Sequence, residues 1–86
     1  MFSNTITSIM PTAYVLILYD YNYDDSKIIT QLNKLPCVME VNKVMEGPYD
    51  IVVKLSDYSM DMLKEVIGKQ MVRIQGISST LTLMAE

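Results

Sequence analysis

The apolar positions of this chain change period along its length. Ala13 to Tyr19 (AYVLILY) is apolar throughout, with no polar residue marking a solvent side. Such a run predicts a strand covered on both faces, and hence central in its sheet. Asp20 to Asp25 is polar and tyrosine-rich, a loop in which Asp24 or Asp25 can accept the free N–H groups of a following helix. Ile28, Ile29, Leu32 and Leu35 then recur at helical spacing and predict one apolar stripe on a short helix ended by Pro36. Val38 to Val44 alternates Met39 and Val41 with Glu40 and Asn42, which predicts a second strand. Glu46-Gly47-Pro48 reads as a turn, since glycine tolerates positive φ and proline fixes its own. Tyr49 to Leu55 is a third strand. Ser56 or Asp57 is expected to cap a second helix with the stripe Met62 or Leu63, Val66, Ile67 and Met71. Gly68 within it costs about 1 kcal/mol relative to alanine. Gln75-Gly76 turns the chain into a last strand, Ile77 to Met84.

The order is β-α-β-β-α-β, and its halves look like repeats of one unit. Pro36-Cys37-Val38 sits where Gln75-Gly76-Ile77 sits in the second half. Two right-handed crossovers then give an α+β, ferredoxin-like fold: a four-stranded antiparallel sheet with both helices on one face, in the order 4-1-3-2. Val15, Ile17 and Tyr19 point to one side of the first strand, and Tyr14, Leu16 and Leu18 to the other. One of these apolar sets must face away from the helices, where an exposed patch marks an interface. Sheet-to-sheet self-association follows.

Composition sharpens this picture. The chain has 86 residues, one domain's worth, yet 50% are hydrophobic. A self-partner is the simplest cover for that excess. Seven basic residues face ten acidic ones, net −3, and the cations are scattered from Lys27 onward. Nucleic-acid binding wants them clustered, so it is disfavoured. There is no histidine, and Cys37 is the single cysteine. That removes His-based acid–base chemistry, Ser-His-Asp and Cys-His arrangements, nearly every zinc site and any intrachain disulfide. A reducing, cytoplasmic setting fits. Residues 1–12 form an N-terminal extension without the features of a signal peptide, and no apolar run is long enough to span a bilayer. No cofactor and no metal site is expected.

Three places carry candidate chemistry. At Gly47-Pro48-Tyr49-Asp50, turn N–H groups suit a carboxylate and Asp50 suits an ammonium, the two ends of an amino acid. The same turn also reads as a hairpin whose aspartate bonds its own backbone. Ser78, Ser79 and Thr80 offer clustered hydroxyls to a small polar ligand, or simply belong to a strand edge. Tyr19, Tyr21 and Tyr23 alternate with Asp20 and Asn22. Without nearby cations they read as an amphipathic interface loop rather than a base-stacking platform.

Leu35-Pro36-Cys37-Val38, Gly47-Pro48-Tyr49-Asp50 leading into Ile51-Val52-Val53-Lys54, and Gly76-Ile77-Ser78-Ser79-Thr80-Leu81-Thr82 together resemble the ligand-binding (RAM) domain of Lrp/AsnC-type regulators, over residues 13–86. Cys37 replaces a glycine of that family's pattern. Glu46 replaces a small or hydroxyl residue and adds negative charge beside the turn. Twelve residues before the first strand are too few for the family's DNA-binding helix-turn-helix, so the resemblance is to a stand-alone form. It implies a dimer, assembled further into a ring such as an octamer or decamer. It also implies an amino-acid effector at a junction lined by Gly47, Tyr49, Asp50, Ser78, Ser79 and Thr80. A full-length Lrp/AsnC-type regulator is an implied partner. Direct DNA binding, membrane binding and catalysis are not expected. An ACT-like amino-acid-binding domain shares the element order, as does the RNA-binding RRM. The RRM wants aromatic rings where the third strand has Ile51 and Val53.

Overall fold

The computed structural model describes residues 10–85; residues 1–9, most of the expected N-terminal extension, lie outside the described residues, as does residue 86. Four strands, β1 (Thr12–Tyr19), β2 (Val38–Lys43), β3 (Ile51–Ser56) and β4 (Ile77–Ala85), form one sheet in the order β2-β3-β1-β4. All neighbours are antiparallel. This is the expected βαββαβ arrangement, with the two apolar strands in the middle.

Helix α1 (Asp25–Asn33) starts where the sequence places its cap. Asp24 Oδ1 accepts from the Ser26 N–H at 3.0 Å and from Ser26 Oγ at 2.7 Å. Those bonds hold the Asp24 carboxyl below its ordinary range. The second helix starts later than expected. β3 runs on to Ser56, whose Oγ lies 3.1 Å from Thr12 Oγ1, so Ser56 belongs to the sheet. The cap is Ser59, with Asp57 bonded to the Ser59 N–H at 2.8 Å. Helix α2 (Met60–Glu65) then widens into a π turn (Val66–Gln70) and tightens into a 3₁₀ turn (Met71–Arg73). The Met71 N–H bonds the Val66 carbonyl, five residues back, which aims both side chains at the core. Leu63 joins them there, while Met62 is exposed.

The core lies between the helices and one sheet face. Ala13, Val15 and Ile17 of β1, Ile51, Val53 and Leu55 of β3, and Ile28, Leu32, Leu63, Val66 and Met71 are completely or nearly completely buried. Burying each large aliphatic side chain contributes about 1.5–3 kcal/mol. β2 departs from simple alternation. The register slips between Val38 and Glu40, so Met39 occupies a bulge and is 63% exposed. Val38 and Val41, three apart, both pack on the core instead.

Among the described residues no helix covers the other sheet face. Tyr14, Leu16 and Leu18 line it from β1. Register sets Val52 beside Leu16 on one side, and Leu81 and Leu83 beside Leu16 and Tyr14 on the other. Leu81 and Leu83 are 44% and 49% exposed. Among the described residues no helix is long and apolar enough to cross a membrane.

The internal repeat reaches the backbone. Cys37 and Gly76, equivalent by repeat, both adopt positive φ, 70° and 102°. A left-handed conformation costs a non-glycine residue about 1–2 kcal/mol. Burial and the nearby Asp57 carboxylate push the Cys37 thiol pKa up. A Cβ on Gly76 would meet Ile28 Cδ1 at 2.9 Å and Tyr23 at 3.0 Å. Cys37→Gly exchanges relief of strain for lost packing and added chain entropy, so stability should stay within about 1 kcal/mol of wild type. Gly76→Cys combines strain with overpacking and should cost at least about 2 kcal/mol. Urea denaturation of both variants measures this; equal losses would show that the two turns carry no such asymmetry.

Candidate functional site

Of the predicted site residues, Asp50 with its turn and Ser78 come together at the end of the sheet where β1 leaves it. The Asp50 N–H donates to the Ile17 carbonyl at 2.9 Å, and the Asp50 carbonyl accepts from the Val44 N–H at 2.8 Å. These bonds pin the turn of residues 44–50 against β1. Gly47 sits in that turn at φ 139°, a conformation that favours glycine. Tyr49 is half-buried and Glu46 exposed.

The Asp50 carboxylate points across the end of β1. Its Oδ2 accepts the Tyr19 N–H at 3.2 Å, and its Oδ1 accepts the Tyr21 hydroxyl at 2.6 Å. On the other flank the ladder between β1 and β4 bulges. Leu18 pairs with Ser79 and Tyr19 with Ile77, which leaves Ser78 unpaired. Ser78 Oγ donates to the Leu18 carbonyl at 3.0 Å. Asp50 and Ser78 therefore bracket the same two residues of β1. Ser79 and Thr80 do not form a common hydroxyl cluster with Ser78. They alternate along β4, Ser79 beside Leu18 on the open face and Thr80 beside Ile17 on the helix side.

The structure joins the tyrosine loop to this site and adds Asp25 and Lys43, which spacing alone did not single out. Tyr19 and Tyr21 rings stand edge to face, centroids 5.0 Å apart at 62°. Tyr19 Oη donates to Asp25 Oδ2 at 3.4 Å, and the same Asp25 oxygen is ion-paired with Lys43. Lys43 holds the Asp25 carboxyl below its ordinary range, and Asp25 raises the Lys43 ammonium. Burial, and then the Asp25 charge, push the Tyr19 phenol up; the bond to Asp50 does the same for Tyr21. The tyrosine-rich loop is thus folded back on the sheet end, with the Asp20 N–H bonded to the Gly76 carbonyl at 2.8 Å. Tyr21 is still 75% exposed.

Chemically, the Asp50 carboxylate takes two donors out of about four acceptor positions. It retains capacity for an ammonium or hydroxyl from outside. The described residues contain no group of three or more His, Cys, Asp or Glu side chains placed to hold a metal ion.

No protein-family model matches the sequence, and no curated protein does. Solved structures match it well. TTHA0845 from Thermus thermophilus is 32% identical, with 90% of this chain and 94% of that one covered at a TM-score of 0.80. PHS023 from Pyrococcus horikoshii is 26% identical over 90% of each chain, TM-score 0.78. Escherichia coli AsnC is 27% identical over 87% of this chain, TM-score 0.77. This chain spans 50% of the length of AsnC. The fold, the identity to TTHA0845 over nearly its whole length and the match to AsnC place the chain in the Lrp/AsnC-type family, as a regulatory (RAM) domain.

Proposed function

We propose that this chain is a non-catalytic, cytoplasmic sensing and assembly module that binds an amino acid at a junction between its own copies. Gly47, Tyr49 and Asp50 line the site, with Ser78, Ser79 and Thr80 near it. The observation that carries the reading is the Asp50 carboxylate. It lies beside the glycine turn at a sheet end, with acceptor capacity to spare. Turn N–H groups would take the ligand's carboxylate and Asp50 its ammonium. The exposed Glu46 favours a cationic or neutral ligand side chain over an acidic one. One neighbour of the same fold, at 12% identity, is a transcriptional regulator from Neisseria meningitidis solved as a complex with L-Met. That ligand belongs to that protein and makes methionine a sensible first probe here.

The open sheet face supports assembly into a dimer, and a ring such as an octamer or decamer is proposed with it. A full-length Lrp/AsnC-type regulator is a proposed partner, since ligand binding biases an assembly only through differential affinity for its states. An ACT-like mode of pairing would use the same face differently. An RNA-binding sheet would need stacking rings on the open face of β3; Ile51 and Val53 are buried in the core, and the open face has Val52 and Lys54.

Two experiments follow. Light scattering at micromolar concentration should find a dimer or larger species. Leu16→Glu, which would bury an unpaired charge in the joint at a cost of several kcal/mol, should give monomers. A monomeric wild type would sink the assembly. Calorimetry across the amino acids should find a ligand that Asp50→Ala weakens by about 1.5–3 kcal/mol. Tyr21→Phe, which removes one internal donor and keeps the carboxylate, should leave affinity nearly unchanged. Equal losses in both variants would assign the effect to loop order. Binding that survives Asp50→Ala would misplace the site.

A further inference from the structure

The two halves of the chain repeat again at the carboxyl ends of the helices. Gln31, Lys34 and Leu35 follow one another at steps of three and one, and so do Gln70, Arg73 and Ile74. All six line a single cleft of about 250 Å³. The sheet settles how the triplets face each other. β1 and β2 are both antiparallel to β3, so α1, which joins them, runs against β1. β3 and β4 are both antiparallel to β1, so the helical segment joining them runs with β1 and against α1. The antiparallel course reverses the order of the triplets. Lys34 and Arg73 are thereby set toward opposite ends of the cleft, each with a glutamine amide one helical turn before it. Ile74 is buried and Leu35 half-buried, which makes the floor apolar.

Among the described residues the ion pairs are Lys43–Asp25 and Lys69–Glu65, so neither Lys34 nor Arg73 has a carboxylate partner there. Cations at helix carboxyl ends complement the exposed carbonyls. That explains the charges. It does not explain an amide beside each, nor why both units share one cleft.

We infer that this cleft is a second ligand site, separate from the Gly47–Asp50 turn, and that it takes a short dicarboxylate. Each carboxylate meets one cation and one amide, and the aliphatic spacer lies on Leu35 and Ile74. The guanidinium of Arg73 matches a carboxylate as a two-pronged donor. A ligand with two anionic ends fits the two-fold character of the cleft, and a single anion leaves one end unmet. The exposed position of the cations makes the affinity modest, in roughly the millimolar range.

Calorimetry of the full chain with succinate, acetate and inorganic phosphate tests this. Lys34→Gln and Arg73→Gln remove one cation each and keep good helix formers. Succinate should bind, and either substitution should weaken it about tenfold. Acetate should bind at least about tenfold more weakly than succinate. Asp50→Ala should leave succinate binding unchanged, which keeps this site's test apart from that of the turn. Acetate equal to succinate, phosphate tighter than succinate, or no succinate binding at tens of millimolar would each overturn the inference. So would substitutions that lower the melting temperature but spare the affinity, because they would assign the cations to the helix ends alone.

Discussion

Everything in this molecule follows from a central strand that is apolar on both sides. β1 sends Ala13, Val15 and Ile17 into the core without residual exposure, and Tyr14, Leu16 and Leu18 the other way. The described residues form two helical segments, and both lie over the first face. Covering the second from within would require a further layer, and small domains rarely have residues enough to build one. A leucine-lined face flanked by Leu81, Leu83 and Val52 is then more readily covered by another copy, since identical faces supply matching apolar area. The same strand places the candidate site. Its last residues, Leu18 and Tyr19, run past the sheet's regular pairing, and their backbone groups must find side-chain partners. Asp50 and Ser78 supply them.

The order of elements and the sheet order were legible in the sequence because they depend on local periodicity and on the handedness of crossovers. Details governed by distant pairing were not. Ser56 has the chemistry of a helix cap, but Thr12, far off in sequence, holds it in β3, and the helix waits for Ser59. Val38 and Val41 break the alternation of β2 because a bulge at Met39 re-aims them. The five-residue step from Val66 to Met71 signals a widened turn only once both residues are known to be buried. The alternation of tyrosines from Tyr19 onward was visible. Its partners Lys43 and Asp50 were not, because only the fold brings them beside Asp25 and Tyr21. Ser79 and Thr80 show the reverse case. Adjacent hydroxyls look like a cluster in a sequence, and strand geometry sends them to opposite faces.

The repeat explains why some departures from the family pattern are tolerated. Cys37 and Gly76 occupy the same left-handed corner in their halves, yet only one is glycine. The corner beside Gly76 is crowded by Ile28 and Tyr23. Cys37 is half-buried and packs against the core. A side chain that contributes contacts can offset part of its own backbone strain. The repeat therefore constrains backbone shape at both corners and side-chain identity at one.

In the proposed function, Asp50 serves structure and recognition together. Its two internal donors come from the same short segment, the Tyr19 N–H and the Tyr21 hydroxyl, and both reduce its freedom to rotate. A carboxylate held in place loses less entropy on meeting a ligand than a free one. The unused acceptor positions are then aimed rather than merely available. Tyr19 is itself held by Asp25, which is held by Lys43 at the end of β2. The network thus joins β1, α1, β2 and the turn before β3 at one end of the sheet. A ligand or neighbouring subunit that contacts Asp50 meets a group whose position is fixed by four parts of the fold, so contact there is coupled to the packing of the whole sheet end rather than to a loose turn.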